Sequence, residues 1–162
     1  MPLIVLSNSC LIYQSLSKEV NEIISSYISI IFFLAACEKN GSSISLNNLE
    51  IYAPLPGNTV TSGYTKITNN TDVTISIDSI TSPDFETVEI HETIIVNGIA
   101  RMIEIEQLTI PANNDIVLKR GGKHFMFFDP TKNINIGQNI KLNIKLSNNE
   151  NLKFEVPAKS RF

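Results

Sequence analysis

Beyond Ile44 the chain alternates between apolar and polar positions. In DVTISID, Val73, Ile75 and Ile77 are separated by Thr74 and Ser76. In KLNIKL, Leu142, Ile144 and Leu146 are separated by Asn143 and Lys145. A period of two marks strands with one buried face. Between such runs stand PLPGN, TNNTD, VNG, PANND, RGG and SNNEN, all with turn chemistry. No segment after residue 44 repeats its apolar positions every 3.6 residues. The pattern predicts roughly seven to nine short strands over about 115 residues. The expected fold is all-β: one Greek-key β-sandwich or barrel, immunoglobulin-like or cupredoxin-like.

The first part of the chain follows another rule. Ile23–Ala36 reads IISSYISIIFFLAA, an apolar run that ends at Cys37. It is shorter than the roughly 20 residues a spanning helix needs but suits the hydrophobic core of a signal peptide. LAAC, Leu34 to Cys37, looks like a bacterial lipobox, in which small residues fit the peptidase and the cysteine thiol takes the lipid. EKNGSS follows as a polar tether. The domains expected are residues 1–36 as a signal peptide or upstream extension that is removed, 37–43 as lipidated Cys37 and tether, and 44–162 as the folded β-domain. The competing reading makes Ile23–Ala36 a buried helix and Cys37 an ordinary core thiol.

Composition narrows the function. The 162 residues are 43% hydrophobic and 18% charged, enough apolar content for a core. A formal net charge of −3, with no Lys/Arg run, argues against a nucleic-acid partner. The two cysteines are Cys10 and Cys37. The β-domain therefore has no disulfide, no zinc-thiolate site and no thiol nucleophile. No G-x-S-x-G elbow accompanies either histidine, which argues against a hydrolase.

Both histidines and two of the three methionines fall between His91 and Met126. In KHFMFF, His124 and Met126 stand two apart, so one strand face carries both while Phe125 points the other way. In VEIHET, Val88 and Ile90 face inward, which puts His91 outward at the end of its strand. In the run Arg101–Glu106, Ile103 and Ile105 take one face and Met102 shares the other with Glu104 and Glu106. A thioether on a polar face is unusual for core packing. Two imidazoles and two thioethers are thus expected to meet at one rim of the sandwich. Thioether sulfur is neutral, soft and polarisable, a good donor for Cu(I) and a poor one for Mg²⁺, Ca²⁺ or Zn²⁺. Imidazole also accommodates Cu(II). A blue-copper centre needs a thiolate that the domain lacks. Taken one at a time, each methionine also fits core packing and each histidine a solvated strand position.

The spacing His91-x10-Met102-x21-His124-x-Met126 resembles the H-x10-M-x21-H-x-M signature of periplasmic copper chaperones of the PCuAC type. VEIHET, GIARM, LTIPANNDIVLKRGGKHFMF and the closing IGQNIKLNIKLSNNENLKFEVPAK are similar to that family as well, so the likeness spans roughly Ile44 to Lys159. Three positions depart from it: Thr93 where a further methionine is frequent, Arg120 where a proline precedes the paired glycines, and Phe128-Asp129-Pro130 in place of glycine-leucine. The resemblance implies a copper site made by His91, Met102, His124 and Met126, in a protein that is not an enzyme. It further implies delivery of copper to cytochrome c oxidase assembly, with an oxidase subunit or a Sco-type thiol protein as partner. The class to set against it is a structural or adhesive envelope β-domain without metal function.

Overall fold

The computed structural model describes residues 41–161. The apolar run Ile23–Ala36 and Cys37 lie outside the described residues, so the expected leader and lipid site are not part of the fold set out here. The described residues form one unit of strands and turns with no helix. The strands are β1 (Ile44–Ile51), β2 (Val60–Asn69), β3 (Ile75–Thr81), β4 (Phe85–Val96), β5 (Ile99–Glu104), β6 (Leu108–Ile110), β7 (Asp115–Leu118), β8 (Lys123–Pro130), β9 (Asn139–Leu146) and β10 (Asn151–Pro157). One antiparallel sheet has the order β1-β2-β8-β4-β5, with β7 also pairing β2; the other runs β10-β9-β3-β6. This is the all-β, Greek-key sandwich that the alternation predicts.

The alternation explains what is buried. In β9 the apolar positions Ile140, Leu142, Ile144 and Leu146 are at most 1% exposed. From the other sheet Ile67, Phe85, Ile90, Phe125 and Phe127 face them, with the Phe85 and Phe127 rings 5.1 Å apart. Burying each such side chain contributes about 1.5–3 kcal/mol relative to leaving it in water. At Gly63 on β2 an added Cβ would stand 3.0 Å from both the Glu50 carbonyl oxygen and the Phe127 ring. The sheet closes over the aromatic core only because that position has no side chain.

Three expectations need correction. Val73 is 58% exposed and precedes β3, because the loop from β2 is pinned by Asn69, whose side-chain amide donates to the carbonyls of Val73, Ile110 and Pro111. Ile103 is 44% exposed, because β5 is an edge strand that the second sheet does not cover. Ten strands form among the described residues where seven to nine were expected, because the segments on either side of PANND make the short strands β6 and β7.

β2 runs from Val60, which pairs with Phe128, to Asn69, which pairs with Ile44. Hence β1 begins at the same end of the sheet at which β4 turns into β5. That turn is Asn97-Gly98, both at positive φ (52° and 78°), the conformation a two-residue hairpin favours.

Asp84 ties the other end together. Its carboxylate meets the Lys132 ammonium at 2.6 Å and accepts the Lys141 backbone N–H at 2.9 Å, and its carbonyl accepts from Thr131. Burial works to raise the Asp84 pKa, but the Lys132 and Lys141 hydrogen bonds outweigh it and hold the carboxyl below its usual value. A depressed folded-state pKa stabilises the fold above the unfolded pKa and loses that contribution as pH falls through the folded value. Asp84→Asn is expected to cost about 1–3 kcal/mol at neutral pH, and urea titrations should show the gap from the parent closing as both are acidified below about pH 4.

Candidate metal centre

The register of three strands decides where the candidate residues go. Ile90 pairs with Phe125 and both are buried, so their neighbours face out. His91 lies directly across from His124, Glu89 across from Met126, and Thr93 across from Met102. Paired residues share a face, so His91, Met102, His124 and Met126 all project from the outer face of the six-stranded sheet. The expectation of a rim is corrected to the face of a sheet. His91 sits within the twelve-residue β4 and not at a strand end, because β4 continues as a two-stranded ribbon with β5.

An open depression of about 450 Å³ gathers Met102, His124 and Met126, with Tyr64, Thr93 and Arg120 on its walls. Met102 is 60% exposed and His124 only 5%. The His91 ring does not line the depression. It stands 6.3 Å from the His124 ring and 6.0 Å from Phe128, centre to centre.

Each imidazole is oriented by a neighbour two residues before it. The loop Lys119–Gly122 closes tightly, Lys119 N–H donating to the Lys123 carbonyl at 2.7 Å, and presents the Gly122 carbonyl to His124. A carbonyl only accepts, so His124 Nδ1–H donates to it (2.9 Å) and Nε2 keeps its lone pair. His91 Nε2–H donates to the Glu89 carboxylate at 2.7 Å. Its Nδ1 is buried and has no hydrogen-bond partner. Each ring therefore holds one nitrogen in reserve while a carbonyl or a carboxylate fixes the other, the outer arrangement metal-binding histidines use. Among the described residues no group of three or more His, Cys, Asp and Glu side chains is placed to hold a metal ion. The imidazoles and thioethers share this face with the Glu89 carboxylate, which is taken up by His91.

Sequence reasoning missed the support around these residues. Glu89 was legible in principle, since E-x-H within a strand puts both side chains on one face. Arg120 was not. Its guanidinium lies 5.2 Å from the Tyr52 ring centre and 5.7 Å from that of Tyr64, and Tyr64 in turn stands 6.4 Å from His124. Such stacking joins the residue that follows β1, β2 and the β7–β8 loop, which no local pattern announces.

Residues 44–158 match the model of a family described as "Putative lipoprotein LpqE-like". The chain belongs to this family. The chain is 27% identical over 104 residues to "Putative lipoprotein Lxx21020" of Leifsonia xyli subsp. xyli. That match takes in 64% of this chain and 63% of the relative, so it spans under two thirds of the relative's length. Among solved structures, the copper-bound PCuAC domain from PmoF2 superposes with a TM-score of 0.61 at 18% identity, covering 74% of this chain and 94% of that one. The solution structure of CuI-DR1885 from Deinococcus radiodurans superposes with a TM-score of 0.61 at 22% identity, covering 79% and 87%. At these identities the likeness establishes that this LpqE-like chain has the PCuAC fold.

Glu89→Ala removes the acceptor that fixes the His91 tautomer. Long-range ¹H–¹⁵N NMR should then show the neutral His91 ring sharing its proton between both nitrogens while His124 keeps its proton on Nδ1. Stability should fall by only about 0.5–1.5 kcal/mol.

Proposed function

We propose that this protein is a copper chaperone of the bacterial envelope, holding Cu(I) in preference to Cu(II) through His91, Met102, His124 and Met126. The observation that carries the reading is the meeting of Met102, His124 and Met126 around one depression with the His91 ring directly across the strand pair. The 6.3 Å between ring centres is roughly the span one ion bridges when it sits about 2 Å from a nitrogen of each ring. The orphaned Nδ1 of His91 and the free Nε2 of His124 suit that role. The PCuAC fold, seen in a domain described as copper-bound, lends independent support.

The donor set suits carriage more than storage. Two neutral thioethers bind a soft monovalent ion without proton release and survive an oxidising compartment, where thiols would pair. Exposed Met102 is the donor an incoming ligand can displace first, and buried His124 is released last, so copper passes on by stepwise exchange without ever being free. Membership of a lipoprotein family supports an anchor at Cys37, on the periplasmic side of a bacterial membrane. The receiving protein under this reading is a subunit of cytochrome c oxidase or a Sco-type thiol protein that serves its assembly.

Titration of the protein with Cu(I) under reducing conditions, against a competing chelator, tests this directly. The parent should bind one ion, and the double variant Met102→Leu, Met126→Leu should lose more than about 100-fold in affinity, about 2.8 kcal/mol, with an unchanged circular dichroism spectrum. Equal affinity in parent and variant would remove the four-residue site. Absence of binding in the parent would leave a structural or adhesive envelope domain.

A further inference from the structure

The ribbon at the end of β4 and β5 is the most apolar exposed part of the described structure. Ile95 is 69% exposed, Val96 39% and Ile99 61%. β8 begins at Lys123, which pairs with Glu92, and past the Thr93 N–H bond to the Gly122 carbonyl no strand pairs with the ribbon on the β8 side. Its far side is the open edge of β5. From Thr93 to Ile103 the sequence holds a single formal charge, Arg101, which is exposed. Soluble surfaces seldom leave several adjacent aliphatics in water without a use for them.

What covers the ribbon is indicated by where the tether enters. Gly63, Phe125 and Ile90 are level with one another across β2, β8 and β4. Six residues further along both β2 and β4 come Asn69 and Val96, and Asn69 pairs with Ile44. The first residue of β1 and the tip of the ribbon thus lie toward the same end of the sheet. The seven-residue step from Cys37 to Ile44 reaches at most about 25 Å. A lipid on Cys37 therefore holds this end of the domain against the bilayer.

We propose that the Asn97-Gly98 hairpin inserts its tip into the membrane to which the chain is anchored. Ile95, Val96 and Ile99 enter the boundary between headgroups and acyl chains, a depth of about 5–10 Å. Arg101, two to three residues up the ribbon, meets the lipid phosphates. Met102 follows Arg101 directly, so the open side of the depression stands just above the membrane surface. The proposal rests on the anchoring half of the reading above and is independent of copper.

The chain contains no tryptophan, so a single introduced indole reports unambiguously. The full chain carrying Ile99→Trp is reconstituted in vesicles of phosphatidylethanolamine and phosphatidylglycerol doped with brominated lipid. Its emission should shift to the blue and be quenched about twofold or more by the bromine. Ile136→Trp, an exposed position (67%) at the opposite end of the sheets, should stay in water and be unquenched. Adding Ile95→Asp to Ile99→Trp should abolish the quenching while the chain still floats with the vesicles. An Ile99→Trp chain that co-floats unquenched overturns the proposal, and so does a blue shift without bromine quenching, which would mean that protein covers the ribbon. The mass of the Cys37 peptide from the same sample separates a missing lipid anchor from a missing hairpin contact. Copper titration of that sample is affected by neither.

Discussion

The pairing of β4 with β8 is the constraint on which the rest depends. One antiparallel register sets Ile90 against Phe125 on the inside and His91 against His124 on the outside. A slip of one residue would turn Phe125 and Phe127 into water and His124 and Met126 into the core. Core and candidate site are therefore one decision taken twice, on opposite faces of the same two strands. The hydrophobic drive to bury Phe125 and Phe127, both fully buried, is what holds the polar face in place.

That linkage explains why so much of the site was legible. Residues two apart on a strand must share a face, so the sequence alone pairs His124 with Met126. Inward Val88 and Ile90 sufficed to send His91 outward. The errors came where alternation alone does not decide burial. Val73 has the right phase but stands in a loop held by Asn69, and Ile103 has the right phase on a strand that no second layer covers. His91 was misplaced to a strand end because nothing local signals that β4 runs on as a ribbon. Arg120, Tyr52 and Tyr64 come together only through tertiary folding, and the composition of each segment gives no hint of the stack.

The face itself combines covered and open donors. Two imidazoles are held by partners within their own strands or loops and hardly touch solvent, whereas the Met102 sulfur hangs from an edge strand. Preorganised nitrogen beside mobile sulfur gives a surface that is stiff where orientation matters and yielding where a visitor must enter. The Gly122 carbonyl accepts both from His124 Nδ1 and from the Thr93 backbone N–H, so the same oxygen orients a ring and fastens the base of the ribbon.

Ser43, just before the first strand, hydrogen-bonds to the Glu150 carboxylate 107 positions later, and Asn148 donates to the same serine. β10 begins one residue after Glu150 and is the last strand among the described residues. The residue that leads into β1 is thus tied to the turn that leads into β10, and contacts so far apart in sequence slow the closing of a fold.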